Sequence, residues 1–336
     1  MALSFIELAV RLGAYAPMSS LIEAAYRVVE EHDLDDRPHG EVWHTSFHAS
    51  SLPILERSCD RALALGLLNP PDSLDPITPM GRQIMDAGKD AEDRMFGRLH
   101  RATQLVSWLG VLLTEPPGSE YQTNFTMHDF WLSGNTDGIH LPPGWNRGHV
   151  CDTKGKDNER NHFNEMARGE RGPEPEHVAQ IQAYINMAHE TPYEEWVTLE
   201  ARMLLDAMGI RLSALEPVET GSLLYFNRAR PHLRVEFVIE RDKEGWQRAT
   251  GILQDVRDRF IQGDLPPMPF GGKGWSEDPC AWCALKKHIC KPAHQQGLER
   301  IEDLDPLARA FDPCWDVMSA REAVLARWET EERKAA

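Results

Sequence analysis

The chain has 336 residues, 41% of them hydrophobic and 26% charged, with a formal net charge of −17 at pH 7. That length is ample for a buried core and suggests one large domain or two. The acidity argues against a protein that coats nucleic acid by bulk charge, and no apolar run is long enough to cross a bilayer.

Residues 1–45 read as helical, and MSSLIEAAYRVVEEHDL is the clearest amphipathic unit. MALSFIELAVRLGAYAP lacks a basic n-region and carries Glu7 and Arg11 inside its apolar stretch, so it reads as an amphipathic helix rather than a signal peptide. A cytoplasmic location is expected. Ser50-Ser51-Leu-Pro marks the start of a second helix, which carries Cys59. After a Pro- and Asp-rich link at 70–78, the pattern predicts one long helix over 78–113. It contains Glu92 and, eight residues on, His100 on a similar face. SEYQTNFTMHDFW (119–131) predicts a strand.

Residues 133–156 read SGNTDGIHLPPGWNRGHVCDTKGK. A Pro-Pro-Gly-Trp-Asn turn signal separates strands expected near 130–140 and 148–154. Asp152 and Lys154 are two apart on a strand and so project from one face. Closing the hairpin brings Asp137 toward Asp152. Two carboxylates converging at a strand end suit a hard cation such as Mg²⁺ or Mn²⁺, and a lysine beside them can orient a water or steady phosphate charge. On spacing alone, a surface hairpin with a same-face ion pair competes with that reading.

Residues 157–176 are polar, with a short helix expected at 160–168 and a mobile flap as one use. In HVAQIQAYINMAHE, Gln180 and Tyr184 are four apart and share a helix face. His177 opens this helix on the side of Gln180 and reads as a helix-surface histidine, with a DNA contact as the alternative. Residues 192–215 predict strand then helix, 223–228 and 233–240 two strands, and 246–263 an amphipathic helix closed by Gly263. Lys156, Arg160, Arg168 and Arg171 form one local basic group and Arg228, Arg230 and Arg234 another; each can be a DNA track or a solvated loop. The last helix, REAVLARWETEERKAA, is charged, with oligomer contacts as its expected use.

Cys280-x2-Cys283-x6-Cys290 places three thiols within eleven residues, which indicates a metal centre in a reducing compartment. Either His288 completes a local Cys₃His zinc site, or the remote Cys59 completes a Cys₄ iron–sulfur site. Cys151 reads as a buried strand residue without a ligand role.

In chain order these residues give Asp137, Asp152-x-Lys154 and Gln180-x-x-x-Tyr184, with Cys59 before them and three cysteines after. The ordered set resembles the RecB-like branch of the PD-(D/E)XK nuclease superfamily over about residues 48–292. It is similar to the CRISPR-associated adaptation exonuclease family, its phage relatives and AddB-type helicase–nuclease subunits. The resemblance implies an α/β, restriction-endonuclease-like core with a mixed central sheet flanked by helices. It implies Mg²⁺ or Mn²⁺ held by Asp137, Asp152 and the backbone carbonyl of Thr153. Gly88-x-x-x-Glu92 matches the family's helix motif, which makes Glu92 the third carboxylate, with His100 as competitor. Lys154 would position the attacking water, and Gln180 and Tyr184 the DNA strand. Cys59, Cys280, Cys283 and Cys290 would hold a [4Fe–4S] cluster that joins the two ends of the domain.

The implied segments are a helical 1–47, a cysteine-bearing helix 48–78, a nuclease core 79–265, an iron–sulfur segment 266–292 and a helical tail 293–336. The implied activity is a metal-dependent exonuclease on linear single- or double-stranded DNA, in recombination, repair or phage DNA processing in a host cytoplasm. A second copy of the chain or a recombination protein is the expected partner. The alternatives are a non-catalytic DNA-end-binding protein on the same fold and a zinc-stabilised nuclease.

Overall fold

The structure is a computed structural model that describes residues 46–49, 59–68, 70, 79–115, 123–156, 162–228, 230–268, 283 and 285–335. The expectations for residues 1–45, for the Ser50-Ser51-Leu-Pro helix start and for Cys280 lie outside these residues. So do the side chains of residues 81–89, 91 and 92, where only the backbone is described.

In chain order the elements are β1 (Phe47–His48), α1 (Asp60–Gly66), α2 (Pro79–Leu105), β2 (Val111–Leu112), β3 (Asn124–Met127), β4 (Leu132–Asn135), β5 (Gly138–Leu141), β6 (Arg147–Lys156), α3 (His162–Ala167), α4 (Pro175–Glu190), α5 (Tyr193–Trp196), α6 (Leu199–Ala207), β7 (Glu216–Asn227), β8 (Arg230–Glu240), α7 (Lys243–Gln262), α8 (Lys291–Gln296), α9 (Asp305–Phe311) and α10 (Val317–Ala335). Their contacts divide the chain into two units. One lies within residues 80–125 and 135–242, the other within 43–79, 126–134 and 243–336.

The first unit is built on a five-stranded sheet in the order β2-β5-β6-β7-β8. The β6–β7 pair is parallel and the other neighbours are antiparallel, so the mixed α/β architecture expected from the sequence is present. Alternation along β6 sorts its residues between two faces. On one face, Cys151 joins Leu224, Phe226 and Leu112 against Met95, Phe96, Leu99 and Ala102 of α2. Each large apolar side chain fully buried in this way contributes roughly 1.5–3 kcal/mol. On the other face, Val150 meets α4. Gly221 of β7 permits the approach: a Cβ there would stand 2.9 Å from Ile181 Cδ1 and 3.0 Å from the Val150 carbonyl.

Three expectations need correction. The helix expected to run to residue 113 ends at Leu105. Gly110, at φ +82°, turns the chain so that Val111 and Leu112 pair with Leu141 and His140. Of the strand expected over 119–131, residues 119–122 lie outside the described residues; within 123–131 the strand covers 124–127 and is followed by a 3₁₀ turn. The strand expected after residue 192 is helical instead: Pro192 precedes α5, and the Thr198 hydroxyl caps α6 by accepting the Ala201 N–H at 3.1 Å. By contrast β8, the short helix α3 and the Gly263 stop (φ +80°) follow the sequence pattern, and β7 covers the expected strand but begins seven residues earlier, at Glu216.

In the second unit α1 packs against α7. Trp131, whose φ of 51° is left-handed, stacks on Trp328 of α10 at 5.7 Å and 7° and meets Phe260 of α7 edge-on. Trp315 Nε1 donates to the Leu68 carbonyl at 2.9 Å. The C-terminal helix, read from its charges as a surface for oligomer contacts, therefore buries Trp328 within its own unit. Two tryptophans offset its polar composition through a single stacked contact. Among the described residues no helix is long and apolar enough to cross a membrane.

Candidate active site

The polar face of β6 carries the site. Gly138 of β5 pairs with Cys151 of β6, so the next position out sets Asp137 opposite Asp152. Asp137 Oδ2 accepts two hydrogen bonds from Thr153, from its backbone N–H at 2.7 Å and its hydroxyl at 3.1 Å. The sequence offered Thr153 as a metal ligand; its donor role was not visible there, because it depends on register.

Asp152 is 1% exposed, and Lys154 Nζ stands 2.8 Å from its Oδ2. That contact is an ion pair at hydrogen-bonding distance. Asp152 Oδ1 has no hydrogen-bond donor among the described residues. Burial raises the Asp137 carboxyl above its ordinary pKa, against the lowering effect of Lys154 and of the Thr153 bonds. Burial also raises Asp152, with Lys154 opposing and Asp137 adding to the rise. Two buried carboxylates facing one lysine, with acceptor oxygens left over, form a site short of positive charge. A divalent cation fits that deficit.

Helix α4 covers this face. Tyr184 is buried, and its hydroxyl accepts the Gln180 amide at 3.1 Å. Burial first, and then the negative charge of Asp152, raise the phenol above its ordinary pKa. The expected Asp137, Asp152, Lys154, Gln180 and Tyr184 are thus one neighbourhood.

Glu92 lies on α2 one turn before Phe96, and a Cβ on Gly138 would stand 2.8 Å from Phe96 Cε1. The Glu92 backbone therefore belongs to the stretch of α2 facing the start of β5, next to Asp137. His100, its competitor, is engaged elsewhere, 3.3 Å from Glu200 Oε2 and 2.9 Å from the Gln104 amide. Among the described residues no three His, Cys, Asp or Glu side chains form a metal-binding group.

A second polar group lies beside the first, and it joins Lys156 and His177, which the sequence read separately, through Tyr225 and Glu174, which it did not single out. Tyr225, paired with Lys154 across β6 and β7, bonds His177 Nδ1 at 2.9 Å and accepts the Glu174 N–H at 3.0 Å. Lys156 Nζ lies 2.5 Å from Glu174 Oε2. His177 is therefore partly buried against the sheet rather than a surface residue, and burial pushes it down to about 4.

Among the cysteines, Cys59 at the start of α1 and Cys290 before α8 are both buried. Burial lowers the Arg61 pKa, and the nearby sulfurs of Cys290 and Cys59 oppose that shift. Arg61 is itself 4% exposed, with an Nε that has no acceptor among the described residues. Two thiols and a buried guanidinium with an unmet donor suit an anionic sulfur-rich group. His288, the alternative fourth ligand, packs its ring on Phe311 at 4.5 Å. Cys151 is buried as expected, and Cys314 is exposed.

No family model matches the chain, and no curated protein matches it. Among solved structures it is similar to an alkaline exonuclease (LHK-Exo) from Laribacter hongkongensis and to LHK-Exo in complex with dAMP. Each shows 12% identity and a TM-score of 0.32, with 64% of this chain and 87% of that chain covered.

Proposed function

We propose that the chain is a metal-dependent DNA exonuclease of the RecB-like PD-(D/E)XK type. One observation carries this reading: a buried Asp152 with an unmet Oδ1, paired with Lys154 through Oδ2 and facing Asp137, under a helix that presents Gln180 and Tyr184. A surface hairpin with an incidental ion pair would leave these carboxylates in water.

Asp137, Asp152 and Glu92, with the Thr153 carbonyl, would hold Mg²⁺ or Mn²⁺. The bound cation would supply Lewis acidity toward the phosphodiester and toward a water molecule. Thr153 holds Asp137 in one rotamer through two donors, so the oxygens facing the site are preorganised. Lys154 offsets the carboxylate charge and keeps an ammonium next to the position where a water attacks. The Gln180–Tyr184 pair borders the same face and would place the strand for in-line displacement.

Cys59, Cys280, Cys283 and Cys290 would hold a [4Fe–4S] cluster with a structural role. Arg61 would donate to it, in keeping with its unmet Nε beside two thiols.

Digestion of end-labelled linear single- and double-stranded DNA with Mg²⁺ or Mn²⁺ tests the activity, using protein purified without oxygen. The expected result is shortening from an end by the wild type and a loss of at least about 100-fold in Lys154→Ala. End binding without cutting by either protein under either metal would instead support a non-catalytic end-binding protein. Iron and sulfide analysis tests the cluster independently: stoichiometric zinc in a colourless protein would overturn it and leave the nuclease site standing.

A further inference from the structure

The polar face of β6 continues past Lys154 to Lys156, two residues on and about 6.6 Å further along the strand. That step is close to the one between successive phosphates of a nucleic-acid strand. Lys156 Nζ is 2.5 Å from Glu174 Oε2. The same carboxylate has His177 Nδ1 at 3.6 Å and His162 Nδ1 at 3.8 Å. Burial pushes Glu174 up, but the Lys156 bond and charge, with His177 and Arg171, bring it below its ordinary value. One internal carboxylate is thus paired with Lys156 and bordered by two histidines, one strand step from the candidate catalytic lysine.

His177 adds a polar group that can donate. The Tyr225 hydroxyl accepts the Glu174 N–H and bonds His177 Nδ1 at 2.9 Å. In the tautomer in which the hydroxyl donates to Nδ1, the imidazole carries its proton on Nε2. Nε2 is not a buried unmet atom and has no protein partner among the described residues. His177 is one turn before Gln180 and Ile181 on α4, on the side of the helix that faces the sheet.

We propose that Lys156 and His177 form a second phosphate subsite beside the cleavage position, with Glu174 as the internal carboxylate that a nucleic-acid phosphate displaces. Tyr225 is a positioning residue that holds the imidazole with its Nε2 donor outward. The subsite rests on the nuclease reading for its place on the substrate, and on the local geometry for its preference for an anion.

The test is DNA binding by fluorescence anisotropy in Ca²⁺ across a salt series, with KM and kcat measured in parallel in Mg²⁺, on the full chain. Lys156→Ala, Lys156→Gln and His177→Ala are each expected to weaken binding roughly tenfold, as for loss of one charge-assisted contact. They raise KM and leave kcat within about twofold. The salt slope becomes shallower by about 0.7–0.9 for each lysine variant. Glu174→Gln is expected to move the opposite way and bind several-fold tighter. A purely structural ion pair predicts instead that Lys156→Ala and Glu174→Gln lose thermal stability together, with KM and salt slope unchanged; that pattern would overturn the proposal.

Substrates with a 5′-phosphate and a 5′-hydroxyl separate the two sources of the anion. Loss of a phosphorylated-end preference in Lys156→Ala assigns a terminal phosphate, and equal weakening on both assigns an internal one. Inorganic phosphate gives a readout without DNA. It should raise the melting temperature of Glu174→Gln and not of Glu174→Gln/Lys156→Ala. If DNA neither binds nor is cut while this shift persists, the nuclease reading falls and the anion subsite stands. Absence of the phosphate shift together with wild-type DNA binding by the lysine variants would sink the subsite alone.

Discussion

Asp137 is tied to Thr153 through a single oxygen, Oδ2, which accepts both the backbone N–H at 2.7 Å and the hydroxyl at 3.1 Å. Thr153 lies between Asp152 and Lys154, so one residue locks the first carboxylate to the strand that carries the second. Thr153→Val keeps the backbone bond and removes the hydroxyl. It should cost about 1 kcal/mol of stability and reduce cleavage roughly tenfold through a looser Asp137. Unchanged single-turnover rates would show that the backbone N–H alone is sufficient.

Asp152 should be a residue whose removal stabilises the protein. Burial, opposed by Lys154, raises its pKa in the folded state. The folded chain therefore holds its proton to higher pH than the unfolded chain, and stability falls as pH rises through the window between the two. At pH 8 in EDTA, Asp152→Asn is expected to unfold at higher denaturant, by on the order of 1–2 kcal/mol, with activity abolished. Mn²⁺ should raise the melting temperature of the wild type and leave Asp152→Asn where it was. An equal shift in both proteins would place the cation elsewhere.

Gly221 sets how closely α4 approaches the sheet. A Cβ there meets Ile181 Cδ1 at 2.9 Å and the Val150 carbonyl at 3.0 Å. Gly221→Ala must push the helix outward, at about 1–3 kcal/mol. Because that helix carries Gln180 and Tyr184, kcat should fall more than the stability loss explains. A variant that loses stability yet keeps its kcat would mean that the helix need not be held so precisely for turnover.

His149 predicts acid sensitivity. It is 1% exposed and bonds Thr220 and Ser222, the latter itself bonded to Glu236. Burial pushes it down to about 4. The unfolded chain takes up this proton near the ordinary value of about 6.5. Stability from His149 is therefore fully present above that pH and is lost as pH falls toward 4. His149→Gln should flatten the pH dependence in that window by one proton, about 1.4 kcal/mol per pH unit. Equal slopes in urea titrations at pH 6.5, 5.5 and 4.5 would show that the folded state already carries the charge.

Trp328 anchors the C-terminal helix on Trp131. Trp328→Ala should cost about 3–5 kcal/mol and expose 317–335 to proteolysis. Wild-type resistance in the variant would show that the remaining contacts hold the helix.

Much of the candidate site's geometry was legible in the amino-acid sequence because those relations are local. Asp152 and Lys154 share a face by strand alternation, and Gln180 and Tyr184 share one by helical spacing. Short-range periodicity carries both relations. The β7–β8 pair and the Gly263 stop were equally plain, since β-branched runs and a left-handed glycine act within a few residues. The helix that ends at Leu105 was misjudged because the turn at Gly110 is justified only by the pairing of Leu112 with His140, a partner far away in the chain. The packing of Trp328 could not be read from its charged helix because its partner, Trp131, is almost two hundred residues earlier. His177 read as exposed for the same reason: Tyr225, which fixes it, lies on a strand that reaches it only through the parallel β6–β7 register. Composition and spacing by themselves determined which groups could do chemistry. Which of them are buried, paired or left with an unmet donor was decided by the tertiary structure, because desolvation and ion pairing depend on neighbours that only the folded sheet brings within a few ångströms.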